Sequence, residues 1–264
     1  MYHPQSPPCV EAVRGCLVTV MPSFLSRLFD RSSRPNRELI VNADDFGMSA
    51  AVNRGIIKAH EEGIVTSASL MVRREASADA AAYARRRAAL SVGLHIDLGE
   101  WICRNQQWDP LYVLVDLENG SEVADEVARQ LETFRGLMGR NPTHLDSHQH
   151  VHRDGAVKSV VLQLAERLSV PLRHFSSTVR YCGEFYGQEK HGIHEADAIT
   201  VPRLIELVAR LPVGVTELCC HPADEEQSGE QYGTVRPQEL ATLCDARVRT
   251  ALARYHISLR AFHG

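Results

Sequence analysis

The sequence predicts an α/β fold: a distorted, TIM-like (β/α) barrel of about seven parallel strands in a single domain. Three observations point to it. From Glu38 onward, short apolar runs alternate with segments of helical periodicity, the pattern of a parallel sheet covered by helices. Roughly seven such units fit into the ~225 residues available, the density of a barrel and not of an open doubly wound sheet. Neither GxGxxG nor GxxxxGK[ST] follows any strand, which removes the main support for a nucleotide-binding sheet.

The elements follow in order. ELIVNA (38–43) reads as a buried strand, and a helix follows DDFGMS over 50–62, with Ser49 suited to its N-cap and Gly63 to its stop. IVTSASLMV (64–72) is a second strand, 77–90 a helix and SVGLHIDL (91–98) a third strand. A polar loop carrying Trp101 and Trp108 leads to a helix over 121–139, whose Val123, Val127, Leu131, Phe134 and Leu137 recur at helical spacing. PTHLDS is a fourth strand and 156–169 the next helix. After VPLRHF (170–175) comes an irregular stretch, then a helix over 201–211, the strand GVTELCCH (214–221), a helix over 237–255 and the closing ISLRAF (257–262). Residues 1–37, with prolines at 4, 7, 8, 22 and 35 and arginines at 27, 31 and 34, read as a poorly ordered extension, leaving 38–264 as the barrel domain.

Composition narrows the function. The 264 residues are 44% apolar, enough for one barrel core, and the net charge of -4 includes no basic stripe, so nucleic acid is not an expected partner. No apolar run approaches the ~20 residues of a membrane span. Seven cysteines, an odd number without a CxxC pair, indicate a reducing compartment and hence a cytoplasmic location. A small neutral or weakly charged ligand fits this composition better, and the oligomeric state stays open, a homo-oligomer included.

The stretch HLDSHQHVH (144–152) carries the strongest chemical signal. In an extended chain His144, Asp146, His148, His150 and His152 would share one face, an arrangement more readily explained by a metal than by chance. A catalytic ion takes only ~3 protein ligands, so the others would brace the ligands or wall the pocket. Asp44 and Asp45 follow the first strand, His95 ends the third, His148 follows the fourth and His221 ends the TELCC strand. Those are C-terminal strand ends, where barrels build active sites. One aspartate with two histidines, the set that Asp45, His95 and His148 supply, suits zinc, nickel, cobalt or magnesium and leaves positions open for water and substrate. Adjacent residues on a strand point apart, so Asp44 would be free to take a proton from water, with His221 placed to protonate a leaving nitrogen. The residues alone do not choose among His148, His150 and His152. In RYCGEFYGQ (180–188), Arg180 or Tyr186 could hydrogen-bond a sugar whose ring stacks on the loop's aromatics.

With these motifs in place, the sequence resembles the YdjC-like carbohydrate deacetylases, which include chitooligosaccharide deacetylases and hopanoid-pathway relatives. LIVNADDFGMS, GIVTSASLMV, VGLHIDL, PTHLDSHQHVH, RYCGEFYG and TELCCHPA occur in the family's order between Leu39 and Phe262. The resemblance implies a distorted barrel that removes an acetyl group from an N-acetylated sugar with one divalent metal. It implies that Asp45, His95 and His148 are the ligands, Asp44 the base and His221 the acid, with Asp146, His150 and His152 in supporting positions. Two departures concern substrate identity more than chemistry: 38 residues precede Leu39, and the segment between GLHIDL and PTHLDSH is short. Rival readings are a metal-dependent phosphoesterase or amidohydrolase, and a non-catalytic metal- or sugar-binding barrel. The first rival generally shows HxH after strand one, where this chain has DD, and the second has no use for Asp44 or His221.

Overall fold

The computed structural model describes residues 36–188, 195–227 and 232–262, so the extension expected over 1–37 lies almost wholly outside the described residues. Every element below belongs to the unit Pro35–Gly264.

Seven strands form one parallel sheet in the order β6-β3-β2-β1-β8-β7, with β9 also paired to β1. They are β1 (Arg37–Phe46), β2 (Ser67–Leu70), β3 (Ser91–Ile96), β6 (Leu145–Ser147), β7 (Val179–Cys182), β8 (Gly214–Cys220) and β9 (Ile257–Leu259). β1 is buried from Leu39 to its end, as a central strand covered on both faces must be, which is why it reads as an uninterrupted apolar run. It pairs with β8 from Arg37↔Gly214 to Ala43↔Cys220, and with β9 and then β2 along its other edge. The expected barrel is therefore present as a curled sheet. VPLRHF contributes only the single bridge Leu145↔Leu172, because Arg173 turns into the interior instead of continuing a strand.

The helices α1 (Ala50–Glu61), α2 (Ser77–Ala84), α3 (Gly120–Met138), α4 (Gly155–Leu168), α5 (Val201–Arg210), α6 (Arg236–Leu243) and α7 (Ala246–Arg254) connect the strands. α1 is capped as expected: the Ser49 side chain accepts from the Val52 N–H. α3 buries Val123, Val127, Leu131 and Phe134 along one stripe. Two helical expectations need correction. The helix expected over 237–255 is two helices, because Asp245 caps the second by accepting from Arg247 N. α2 stops at Ala84, and the exposed arginines beyond it form turns, with Arg87 paired to Glu61.

The polar loop at Trp101 and Trp108 is in fact an antiparallel hairpin, β4 (Gly99–Arg104) and β5 (Gln107–Val113). Its two-residue turn, Asn105–Gln106, has positive φ at both positions (51° and 64°), the geometry that matches hairpin twist. Asn-Gln is a weak turn signal beside Asn-Gly, so the sequence did not announce it. The strand expected from PTHLDS is shorter, starting only at Leu145, and ends at Ser147 as expected. Residues His148–Arg153 form a tight 3-10 segment in which Gln149 and His150 adopt left-handed conformations.

Candidate active site

The five residues singled out from strand ends come together at the C-terminal rim of the sheet. Asp44, Asp45, His95, His148 and His221 all line one cleft of about 770 Å³. Local backbone geometry puts both aspartates there. Adjacent residues on a regular strand would diverge, but the register with β2 shifts between Ala43 and Phe46 and Asp45 takes a left-handed φ of 67°. That irregularity turns Asp45 back toward the cleft, a use of backbone distortion common at functional sites. Gly47 completes the turn at φ 93°; a Cβ there would stand 3.0 Å from Met71 O and the Ser77 Cα.

Asp45, His95 and His148 present one donor atom each within 4.8 Å of one another. Asp45 Oδ1 is 3.4 Å from His95 Nε2 and 3.2 Å from His148 Nδ1. Arg236 donates to Asp45 Oδ2 at 2.7 Å. Asp146 accepts from His95 Nδ1 at 2.8 Å, which orients the ring so that Nε2 faces Asp45. Asp146 is itself held by Ser69 Oγ at 2.6 Å and Arg173 at 2.8 Å.

The chemistry of this donor set fits a divalent cation. Four carboxylates, from Asp44, Asp45, Asp146 and Glu217, face only two guanidiniums, from Arg173 and Arg236. The negative excess shows in the imidazole between them. Burial opposes charge on His95, but Asp146, Asp45 and Asp44 outweigh it and lift the group to about 10. Asp45 is held well below the usual carboxylate range, with burial overcome by Arg236 and by the His148 and His95 hydrogen bonds. The buried Nε2 of His148 has no hydrogen-bond partner among the described residues. The other grouping built on His95, with Asp44 and Asp146, has two of its three members already bonded to each other, Asp146 occupying the imidazole Nδ1 at 2.8 Å.

Asp44 stands beside this set with a different environment. Arg173 grips it through two bonds, Nη1 to Oδ2 at 2.6 Å and Nη2 to Oδ1 at 2.8 Å, and Asn42 donates at 2.8 Å. Burial disfavours its charge, yet Arg173 holds the carboxyl down at about 2. His221 Nε2 lies 3.9 Å from Asp44 Oδ2, and its Nδ1 lies 3.8 Å from Glu239 Oε1. Glu239 is fixed by the Tyr232 hydroxyl and by the His221 N–H.

The other expected residues do not stay together. The turn after Ser147 disperses the histidines that an extended strand would have aligned: His150 lines the same cleft, as a wall residue would, while His152 is buried and does not line it. His150 Nε2 sits 3.3 Å from the Tyr181 hydroxyl; His152 bonds Ser147 Oγ at 2.6 Å and the Arg173 carbonyl at 3.2 Å. His144 stacks on Phe262 with centroids 3.9 Å apart, so close to Gly93 that a Cβ there would meet its ring at 2.5 Å. The expectation for Arg180 is corrected. It is exposed and lines a separate depression, while Tyr181, pointing the opposite way along β7, faces the cleft. Tyr186 does line the cleft, stacked on Tyr232 at 4.5 Å.

Arg173, Arg236, Glu217, Glu239 and Tyr232 were not singled out by sequence reasoning. The available signal was a charge inside an apolar run, as in VPLRHF and GVTELCC. Glu217 shares Arg173 with the two aspartates, at 2.6 Å, and burial pushes it up to about 7 even though Arg173 pulls it down. Its folded value thus exceeds the ordinary 4.5, so its contribution to stability is complete below pH 4.5 and is lost as pH rises through 7. Wild-type protein should lose about 3 kcal/mol over that window from this group. Glu217→Gln should flatten that part of the slope when urea midpoints are compared from pH 5 to 8 in chelator; identical slopes in the two proteins would sink the assignment.

The hairpin β4–β5 walls the cleft with Trp101 and Trp108 and is tied to the ligand segment by one amide. Gln149, next to His148, accepts from Trp101 N at 2.9 Å and donates to Trp101 O at 2.7 Å, copying a strand's pairing. Gln149→Ala removes two partly solvated bonds, about 1–2 kcal/mol in all, which should raise KM for a saccharide roughly 5- to 30-fold with kcat little changed. Unaltered KM would show that the hairpin holds its position without this link.

Comparison with known proteins extends these observations. The chain is 37% identical over 245 residues to a carbohydrate deacetylase of Geobacillus stearothermophilus, covering 84% of this chain and 96% of that protein. It is 33% identical over 251 residues to a chitooligosaccharide deacetylase of Salmonella schwarzengrund (strain CVM19633), covering 82% and 94%. Among solved structures it superposes with a TM-score of 0.69 on a protein of Enterococcus faecalis V583 described as a candidate cellobiose-phosphate cleavage protein, at 29% identity over 86% of this chain and 98% of that one. A polysaccharide deacetylase from Bacillus cereus shares the fold at a TM-score of 0.52 and 12% identity, over 86% and 93% of the chains. A family model described as YdjC-like protein matches residues 38–254, the span that holds Asp44, Asp45, His95, His148 and His221, and the chain belongs to that family.

Proposed function

We propose that the protein is a metal-dependent hydrolase that removes the acetyl group from an N-acetylated amino sugar or glycoconjugate. One observation carries this reading: Asp45, His95 and His148 converge in the lining of a cleft beside a fourth group, Asp44, whose carboxylate is held by Arg173 and Asn42. The names of the relatives, a carbohydrate deacetylase and a chitooligosaccharide deacetylase, support it.

The three converging residues would hold the cation. A divalent cation there supplies Lewis acidity, polarising the acetamide carbonyl and bringing water toward a pKa near ~7. Asp44 accepts the proton of the attacking water. Held at about 2 by Arg173, it is ionised at any working pH and so is available to accept a proton. Arg173 and Asn42 fix both carboxylate oxygens, so the proton arrives at a carboxylate of set direction. As the amide C–N bond breaks, His221 protonates the leaving nitrogen, and amine and acetate depart. Glu239 fixes the His221 backbone by accepting from its N–H, and the Tyr186 and Tyr232 rings pack beside the imidazole, with ring centroids 5.3 and 5.0 Å from it. Trp101, Trp108 and Tyr186 offer apolar faces to a sugar ring, the usual partner of its C–H surface.

Among the described residues no helix is long and apolar enough to cross a membrane. The thiols of Cys182, Cys219, Cys220 and Cys244 form no disulfide, which supports the reading of a reducing compartment. Incubation with N-acetylglucosamine oligomers should release acetate, and chelation should remove nearly all of that activity until a divalent ion is restored. Cleavage between sugars without acetate release, or full activity in chelator, would overturn the proposal.

A further inference from the structure

We propose that Asp44, Cys219 and His221 form a second, inhibitory site for a soft divalent cation such as zinc or cadmium, separate from the one framed by Asp45, His95 and His148. The inhibition rests on the reading of Asp44 and His221 as base and acid; the binding does not.

The geometry is that of a three-ligand site. Cys219 Sγ is 3.3 Å from Asp44 Oδ2 and 3.8 Å from His221 Nε2, and the last two atoms are 3.9 Å apart. These nearly equal edges make a triangle of the size that ligands around one tetrahedral ion require, given Zn–S near ~2.3 Å and Zn–N or Zn–O near ~2.0–2.2 Å. All three side chains line the cleft, so an ion reaches them from solvent. The thiol now donates to Asp44 Oδ2, the oxygen that also accepts from Arg173, so the ion takes the position of that thiol proton beside the guanidinium bond. Arg173 does not exclude the ion, because its charge is already shared with Asp146 and Glu217.

Softness separates the two sites. The first offers one carboxylate and two imidazoles, whereas the second contains sulfur, which selects zinc or cadmium over magnesium. Binding exchanges one proton for one ion: the S–H bond breaks, the proton leaves to solvent, and the thiolate, imidazole and carboxylate bond the cation. Asp44 can then accept no proton and His221 can donate none. Zinc beyond the amount that activates should therefore inhibit, and magnesium should not.

The test titrates metal-freed, full-length protein with cadmium chloride and compares wild type with Cys219→Ala and Cys220→Ala. Cys220 bonds the Asn42 carbonyl on the other face of β8 and serves as the neighbour control. Wild type and Cys220→Ala should each bind one cadmium more per chain than Cys219→Ala and show the ultraviolet thiolate-to-cadmium charge-transfer band that Cys219→Ala loses. Where deacetylation is measurable, the zinc concentration for half-inhibition, referred to each variant's own uninhibited rate, should rise at least tenfold in Cys219→Ala. Equal stoichiometry and equal bands in wild type and Cys219→Ala would overturn the site, as would the same loss in Cys220→Ala. Absence of acetate release from any substrate would count against the proposed function and leave the binding result to decide this site. Should Cys219→Ala fail to fold, judged by circular dichroism, Cys219→Ser carries the same comparison.

Discussion

Asp44→Asn is expected to lower kcat by about a thousandfold or more while the protein retains its divalent ion, since a positioned general base contributes roughly 10²–10⁴ and a carboxamide has no basicity to replace it. The substitution is nearly isosteric, and an amide oxygen still accepts from Arg173, so the fold should persist. Asp45→Asn gives the contrasting result: loss of bound metal together with loss of activity, because Asp45 Oδ1 is the atom both histidines face. Metal content by elemental analysis and acetate release on the same samples separate the two. Activity of Asp44→Asn within tenfold of wild type would remove the proposed base. Metal loss in Asp44→Asn alone would exchange the roles of the two aspartates.

Arg173→Met is expected to be the most destabilising single change at the site. The guanidinium is almost fully buried and lies 2.6 Å from Asp44, 2.8 Å from Asp146 and 2.6 Å from Glu217. Removing it leaves three carboxylates packed together without their common partner. Uncompensated buried charge of this kind costs about 3–5 kcal/mol, a large share of the ~5–15 kcal/mol that holds a domain folded. Glu217 moderates the loss, because at about 7 it can take up a proton. The deficit in urea-derived stability should therefore be smaller at pH 6 than at pH 8. A loss below about 1 kcal/mol at pH 8 would mean that water, not Arg173, neutralises the cluster. Arg173 is also what holds Asp44 near 2 against burial, so in any active variant the acidic limb of kcat/KM should move to higher pH.

The sequence by itself determined the alternation of strands and helices that builds the parallel sheet, though not the β4–β5 hairpin, β7 or the break between α6 and α7, and it named the candidate groups at the strand ends. The physical reason is local. Apolar periodicity reports which face of each element is buried, and the C-terminal ends of parallel strands lie at one rim, so Asp44, Asp45, His95, His148 and His221 could be assembled from strand position alone. Tertiary structure decided what depended on contacts distant along the chain or on departures from regular backbone. The run from His144 to His152 looked like one metal-facing strand, but left-handed Gln149 and His150 turn it after Ser147 and leave His148 alone at the cation set. Adjacent Asp44 and Asp45 should have diverged; a left-handed Asp45 brings both to the cleft. Arg180 was expected to reach the ligand because its segment reads as a loop; pairing to β8 makes Val179–Cys182 a strand, whose alternation turns Tyr181 to the cleft and Arg180 away. Arg173, Glu217 and Arg236 are 44, 19 and 63 positions removed from one another, so only folding could show that Arg173 joins Glu217 to Asp44 while Arg236 holds Asp45, giving the two aspartates different environments.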